Sequence, residues 1–250
     1  MKMIDVSYHN GNINFDRVKS SGIDGVIIRA GYGLNTVDKK FKDNIIKASA
    51  AGLHIGIYWF SYAFNTTQAL AEARKCVATI SIYKKYIDLP VFFDWEYDSM
   101  RYSKQHKVNP TKDLITSMCQ VFDHEIEANG YRSGVYLNED YRKNYIDLKK
   151  LPDAAIWYAR YDYTGKLPIN ALLWQYTSKG RINGISGNVD LNQFYGDQLD
   201  PVLHKSNQQI AIEVINGLWG NGITRKQKLT SAGYDYKEIQ KIVNSILSKK

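Results

Sequence analysis

The chain of 250 residues is long enough for one large domain, or for a domain of about 200 residues with a small one beside it. Its apolar content of 44% permits a sizeable core, and its two cysteines are too few for a disulfide framework or a zinc quartet. The net charge of +8 favours an anionic partner. Without a nucleic-acid-binding motif or a membrane-length apolar run, we expect no nucleic-acid binding and no membrane insertion.

Strand-like and helix-like segments alternate through the first 130 residues. We predict strands at residues 3–8, 25–33, 54–63 and 89–97, and helices at 15–20, 38–51, 67–81 and 111–128. This alternation is typical of parallel strands that are joined by crossover helices.

The pattern changes after residue 130. Further strands are predicted at 133–138, 155–161, 171–177 and 189–194, and little helix separates the last three. Eight strands with about five crossovers favour an incomplete (β/α) barrel. A flat doubly wound sheet is the alternative, but no glycine-rich dinucleotide turn follows the first strand.

The C-terminal tail has a different pattern. Helix-start motifs at Ser206, Thr224 and Asp235 each precede an apolar periodic stretch, which predicts three short helices. The tail from residue 208 carries +4, half of the net charge. We therefore expect a barrel at 1–196, a polar linker at 197–206 and a small three-helix bundle at 207–250.

Two acidic side chains end the fourth predicted strand. Asp94 and Glu96 follow an apolar run, and residues two apart in a strand point to the same face. Barrel enzymes place their catalytic groups at this end of the strands, and glycoside hydrolysis needs one protonated and one charged carboxyl. The longer Glu96 is the better candidate for the proton donor. Taken alone, the pair fits equally well a structural acidic pair held by a lysine or by backbone donors.

Two more acids lie in the first and last predicted strands, which are neighbours in a closed barrel. Asp5 and Asp190 are therefore expected to join Asp94 and Glu96 at one mouth, where Arg29 would offset part of the charge. The alternative for each single acid is a solvent-facing strand residue. The histidines show no metal-ligand spacing and the serines no nucleophile elbow, so we expect no metal and no cofactor.

At this point the sequence resembles a known family. Segments 3–8, 26–33, 56–63, 93–96, 134–136, 173–177 and 189–194 look like those of the family 25 glycoside hydrolases, the Chalaropsis-type lysozymes common among phage endolysins. The resemblance implies a flattened TIM-like (β/α)5(β)3 barrel that cleaves the β-1,4 bond from N-acetylmuramic acid to N-acetylglucosamine in bacterial peptidoglycan. It also implies that Glu96 donates the proton, that Asp94 stabilises a retaining mechanism assisted by the substrate's N-acetyl group, and that Asp5 and Asp190 complete the site.

The resemblance extends to the sugar groove and the tail. It implies groove contacts from Arg29, Tyr58, Tyr62, Tyr136, Trp157 and Gln175. The tail is similar to the CW_7 wall-binding repeat, which implies peptidoglycan binding through Trp219, Asn221, Arg225, Tyr234 and Asp235. Because one copy gives little avidity, self-association through the tail is an expectation, and a purely structural appendage is the alternative.

Two other functions and one expectation about location remain. The barrel is alternatively a non-catalytic peptidoglycan-binding module, or a glucosaminidase acting on the same polymer. An acid in the first apolar stretch is unlike a signal peptide. We therefore expect synthesis in the host cytoplasm and action on the cell wall after release by a holin-type partner.

Overall fold

The structure is a computed structural model that describes residues 1–161, 163–196, 207–231 and 234–248. Its strands are β1 (Lys2–Val6), β2 (Gly25–Tyr32), β3 (Thr36–Val37), β4 (His54–Phe60), β5 (Val91–Asp94), β6 (Ser133–Asn138), β7 (Ala155–Ala159), β8 (Leu173–Gly180) and β9 (Val189–Phe194). Its helices are α1 (Phe15–Ser20), α2 (Phe41–Ala50), α3 (Thr66–Ile80), α4 (Tyr97–Gln105), α5 (Lys112–Ala128), α6 (Glu139–Asn144), α7 (Asn207–Ile215), α8 (Gly222–Ser231) and α9 (Tyr236–Leu247).

Eight of these strands close into a barrel. The pairs from β1 through β2, β4, β5, β6 and β7 to β8 are parallel, whereas β9 pairs antiparallel with both β8 and β1. The two-residue strand β3 pairs only with the end of β2. Because helices follow the first five barrel strands and are missing between the described parts of the last three, the predicted (β/α)5(β)3 barrel is confirmed and the flat sheet is wrong.

The fourth predicted strand is shorter than expected. It ends at Asp94, and helix α4, which was not predicted, begins at Tyr97. The side chain of Trp95 is buried and its indole N–H donates to the carbonyl oxygen of Ala63 at 2.8 Å. This contact turns the chain out of the sheet, and the N–H of Glu96 then donates to Ser99 Oγ at 3.0 Å to begin the helix. The alternation of apolar and acidic residues at 93–97 therefore predicts a longer strand than forms, because the packing of Trp95 ends the strand at Asp94.

Alternate residues of the strands serve two separate apolar clusters. One cluster lies between the strands and the surrounding helices and includes Ile28, Phe93 and Phe122. The other includes Ile27 and Phe92 on the opposite faces of the same strands, together with Met3, Leu173 and Phe194. Each fully buried side chain of this size stabilises the fold by about 1.5–3 kcal/mol. The interior of the barrel is thus apolar where this second cluster lies. The polar residues that come later in the parallel strands lie nearer the carboxyl ends of those strands.

The tail forms three helices with their own core. Its apolar cluster contains Ile210, Ala211, Val214, Trp219, Leu229, Ile239 and Val243, all from the tail. Asp235 caps α9 as predicted, since its carboxylate accepts the N–H groups of Lys237 and Glu238 at 2.7 and 3.3 Å. Helix α8 begins two residues before the predicted cap at Thr224, and Ser206 lies outside the described residues.

Helix α3 carries a buried acid, Glu72. One carboxyl oxygen accepts the N–H of Tyr62 at 3.0 Å, and Ser61 also bonds this carboxyl. The other oxygen has no hydrogen-bond partner, and within the described part of the chain no cation is paired with the acid. Burial raises the pKa of Glu72 to about 7, against the opposing effect of these two hydrogen bonds.

We predict that Glu72→Gln stabilises the protein in a pH-dependent manner. The folded chain keeps Glu72 neutral up to a pH near 7, whereas the unfolded chain ionises it from its ordinary pKa of 4.5 upwards. The stability of the wild type therefore falls as pH rises through this window, and the amide removes that loss. The free energy of unfolding should be similar for both proteins at low pH and should favour the variant by on the order of 3 kcal/mol above pH 7.

Urea titrations at several pH values measure this difference. Asp153→Asn, which removes an exposed acid just before β7, is the matched control and should show no such trend. A stability gain in Glu72→Gln that is the same at every pH would contradict a buried, neutral Glu72.

Candidate active site

The carboxyl ends of the barrel strands surround a polar pocket of about 400 Å³, which we call the catalytic pocket. Asp5, Asp94, Glu96 and Asp190, the four predicted acids, all line it. The other residues that line it are Val6, Ser7, His9, Asn10, Arg29, Tyr58, Phe60, Tyr136, Trp157, Tyr161 and Asn188. The closure of the barrel therefore brings together acids that are up to 185 positions apart in the sequence.

Asp94 and Glu96 form a hydrogen-bonded carboxyl pair. Asp94 is the last residue of β5 and is only 4% exposed, whereas Glu96 precedes α4 and is half-buried. Glu96 is thus not on the strand, and the turn at Trp95 rather than the two-residue strand repeat brings the carboxyls together. Burial raises the pKa of both acids, and the adjoining Glu96 raises that of Asp94 further. The pair therefore holds a shared proton toward neutral pH.

Asp5 and Asp190 form a second carboxyl pair at the junction of β1 and β9, where the barrel closes. They lie directly opposite each other in the antiparallel register of β1 and β9 and are hydrogen-bonded. Burial, followed by the charge of Asp190, raises the pKa of Asp5 well above its usual value. The side-chain amides of Asn192 and Gln175 donate to Asp5 Oδ2 at 2.8 and 2.9 Å, which fixes this carboxyl in one orientation.

A hydrogen-bond network holds Asn192 and Gln175, the two amides that bond Asp5. Trp157 Nε1 donates to Asn192 Oδ1 at 2.8 Å, and the hydroxyls of Tyr136 and Tyr161 donate to Gln175 Oε1 at 3.0 and 2.7 Å. Gln175 is only 4% exposed. Of the predicted groove residues, Tyr136 and Trp157 line the catalytic pocket, whereas Gln175 acts through the residues it holds.

Two members of this network were not predicted. Asn192 lies two residues after Asp190 on the same face of β9, so the strand repeat that paired the acids would have found it. Tyr161 lies two residues beyond the end of β7 but within the predicted strand at 155–161, where the two-residue repeat from Trp157 would have indicated it.

Arg29 is held by an unpredicted partner, Asp38. Arg29 Nε donates to Asp38 Oδ2 at 2.9 Å, and the guanidinium lies 4.9 and 5.2 Å from the ring centroids of Tyr8 and Tyr32. Asp38 also accepts the N–H groups of Tyr8 and Lys40, at 3.1 and 2.8 Å. Arg29 lines the catalytic pocket, and its buried Nη2 has no hydrogen-bond partner among the residues that the structure describes.

The two predicted tyrosines of β4 and its following segment have different positions. Tyr58 lines the catalytic pocket, and its ring meets that of Trp157 edge to face with 5.8 Å between the ring centroids. Tyr62 lines a separate pocket of about 520 Å³, which we call the Tyr62 pocket, together with Tyr32, Gly33, Leu34, Asn35, Thr36, Gln68, Glu72 and Tyr102. The ring of Phe60, which belongs to the catalytic pocket, lies 5.2 Å from that of Tyr62. The two pockets are therefore neighbours.

The five predicted wall-binding residues of the tail all have partners within the tail. Trp219 is buried and its indole N–H donates to Glu213 at 2.9 Å, with the Tyr234 ring 6.0 Å away. Arg225 donates to Gly220, Gln240 and Asn221, and Asp235 caps α9. These contacts give the five residues a structural role, and their binding to the wall stays a prediction.

Among the residues that the structure describes, no group of three or more His, Cys, Asp or Glu side chains is arranged to hold a metal ion. Over the same residues, every helix is too short or too polar to cross a bilayer.

Comparisons of the sequence identify relatives of both parts of the chain. Residues 4–185 match the model of the glycosyl hydrolases family 25, and residues 208–247 match the CW_7 repeat. The chain is 30% identical over 195 residues to the autolytic lysozyme of Clostridium acetobutylicum, covering 78% of this chain and 56% of that protein. It is 26% identical to the lysozyme of Streptococcus phage Cp-7, covering 97% of this chain and 69% of the phage protein. The chain thus spans little more than half of the clostridial relative.

Solved structures show the same fold. The modular autolysin LytC from Streptococcus pneumoniae is 29% identical with a TM-score of 0.66, over 78% of this chain and 46% of that one. The CTP1L endolysin is 19% identical with a TM-score of 0.66, and the match covers 98% of this chain and 99% of that one. The family model matches most of the barrel and three of the four acids, Asp5, Asp94 and Glu96. The solved relatives share the fold. The chain belongs to glycosyl hydrolase family 25.

Proposed function

We propose that this protein is a lysozyme that hydrolyses the β-1,4 bond between N-acetylmuramic acid and N-acetylglucosamine in bacterial peptidoglycan. The observation that carries the proposal is the hydrogen-bonded Asp94–Glu96 pair at the mouth of a family 25 barrel. The relatives from Clostridium acetobutylicum and phage Cp-7 are both named as lysozymes, which supports the choice of substrate.

Glu96 is the general acid in this proposal. It is the more exposed member of its pair and lines the catalytic pocket, so its proton can reach the oxygen of the departing sugar. Burial, and to a smaller extent the charges of Asp98 and Asp190, raises the pKa of Glu96 against the opposing effect of its hydrogen bond with Asp94, and this keeps the acid protonated closer to neutral pH. Transfer of this proton breaks the glycosidic bond while positive charge develops at the sugar's anomeric carbon.

Asp94 stabilises that positive charge rather than attacking the carbon. Inverting enzymes separate their two carboxyls by roughly 6.5–9.5 Å to admit a water molecule, and carboxyls in direct hydrogen bond leave no such space. The same contact is also closer than the roughly 5–5.5 Å that separates the acid from a carboxylate nucleophile in retaining enzymes. The acetamido oxygen of N-acetylmuramic acid then attacks the anomeric carbon as the leaving sugar departs, which forms a cyclic oxazolinium intermediate. A water molecule opens this ring at the anomeric carbon while the ionised Glu96 takes its proton, and the two displacements together retain configuration.

Asp5 and Asp190 act on the other wall of the pocket. The amides of Asn192 and Gln175 hold Asp5 through its Oδ2, so its other oxygen is directed to Asp190 or to substrate. Two carboxyls that share a proton can both accept and donate hydrogen bonds. We assign this pair to the orientation of the acetamido group during its attack.

Glu96→Gln should abolish lysis of purified walls. General acid catalysis contributes about 10²–10⁴-fold, and the amide has no proton to give to the leaving oxygen. Asp153→Asn removes an exposed acid just before β7, outside the catalytic pocket, and is the matched control, with lysis close to that of the wild type. Turbidity loss of a wall suspension measures both variants. Unchanged lysis by a folded Glu96→Gln protein would refute the assignment.

The new reducing-end sugar identifies the bond that is cleaved. A muramidase leaves N-acetylmuramic acid at the reducing end of each fragment, and a glucosaminidase leaves N-acetylglucosamine. We expect only muramic acid to be converted to its alcohol when the digest is reduced with borohydride and analysed by mass spectrometry. Glucosaminitol in that digest would instead identify a glucosaminidase.

We also propose that the tail holds the enzyme on the wall. Its apolar cluster contains tail residues only, and its sequence matches the CW_7 repeat. A chain ending at Pro201 should therefore keep the barrel's thermal unfolding transition but sediment less with insoluble walls. Equal sedimentation of the truncated and intact chains would contradict this role. Sedimentation velocity of the intact chain tests whether the single repeat also self-associates.

A further inference from the structure

The Tyr62 pocket is lined by polar side chains that take no part in the proposed cleavage. Its sides come from three parts of the chain: the connection from β2 to β3, the segment after β4, and helices α3 and α4. Its volume of about 520 Å³ is large enough for a sugar residue or an amino-acid side chain. Contact between Phe60 and Tyr62 places it beside the catalytic pocket, on the side of β4.

Glu72 gives this pocket a carboxyl group that has no cationic partner among the described residues. The acid is fully buried, and the N–H of Tyr62 and the hydroxyl of Ser61 are its hydrogen-bond partners. Its second oxygen has no hydrogen-bond partner among the described residues. A buried carboxylate is unfavourable unless it is paired, so a cation that enters the pocket gains a strong attraction there.

Three tyrosine rings line the same pocket. The rings of Tyr62 and Tyr102 lie 5.2 Å apart at an angle of 60°, and Tyr32 contributes the third ring at the end of β2. The faces of aromatic rings attract cations, and the attraction grows where water is excluded. A carboxyl group together with several tyrosine rings is the combination that selects an ammonium group over a neutral amide or hydroxyl.

We propose that the Tyr62 pocket is a subsite for a primary ammonium group carried by the cell-wall polymer. The identity of that polymer rests on the proposed function, whereas the chemistry of the pocket does not. Peptidoglycan offers such a group in two places: on the diamino acid of the peptide stem, and on amino sugars that lack their N-acetyl group. An enzyme with this subsite prefers wall regions where these amines are free.

Calorimetric titration of the intact chain with two matched pairs of probes tests the subsite. One pair is a lysine-containing stem tetrapeptide and the same peptide acetylated on its side-chain amine. The other pair is the β-1,4 trimer of glucosamine and the corresponding trimer of N-acetylglucosamine. We expect the free amine in one pair to bind about tenfold more tightly than its acetylated form. The pair that shows this preference identifies the source of the ammonium group.

Two variants connect the preference to the pocket. Glu72→Gln removes the carboxyl group that can ionise against a bound ammonium group but keeps an acceptor for the Tyr62 N–H, and Tyr102→Ala removes an exposed ring without touching the buried acid. Both should reduce the preference for the free amine, whereas the distant Asp153→Asn should keep it. Equal binding of free and acetylated probes, or an undiminished preference in both pocket variants, would overturn the proposal.

Glu96→Gln separates this inference from the proposed function. If both are correct, that variant loses wall lysis and retains its preference for the free amine. Wild-type lysis by Glu96→Gln together with an intact amine preference would refute the catalytic assignment and leave the subsite standing. Loss of lysis by Glu96→Gln, together with no amine preference in the wild type, would refute the subsite and leave the catalytic assignment standing.

Discussion

The antiparallel pairing of β9 with β1 is the constraint on which the catalytic pocket depends. It sets Asp5 opposite Asp190 and closes the barrel, so that residues at the two ends of the domain share one mouth. A slip of one residue in this register would turn the β9 side chains to the opposite face. Asp190 and Asn192 would then point away from Asp5, which would lose a carboxyl partner and an amide donor together.

Apolar packing elsewhere in the barrel offsets the free-energy cost of burying several acids at the catalytic pocket. Burial raises the pKa of Asp5, Asp94, Glu96 and Asp190, and Glu72 nearby is buried as well. Each group is therefore less stable in the folded protein when it is charged. The apolar side chains that fill the lower barrel and the helix–strand layer supply the stabilisation that offsets this cost.

The strand order and the four acids were predictable because strands repeat every two residues and a barrel joins its first strand to its last. The ion pair between Arg29 and Asp38 was not predictable, because the eight intervening positions contain a turn and a two-residue strand whose geometry no periodicity specifies. Glu96 was assigned correctly to the pocket for an incorrect reason, since the buried Trp95 decides where β5 ends. In the tail, a motif predicted Trp219 as a binding residue, although an aromatic side chain in so small a bundle is needed for its core.

The shared proton of Asp94 and Glu96 connects these structural costs to the proposed reaction. Before cleavage the pair carries one negative charge, and the hydrogen bond between the carboxyls spreads it over both groups. Once Glu96 gives up its proton, the pair carries two charges in a buried site, where they repel each other strongly. The positive charge that develops on the sugar at that moment relieves the repulsion. The burial that destabilises the resting enzyme therefore becomes an electrostatic attraction for the transition state, and it is strongest when the bond breaks.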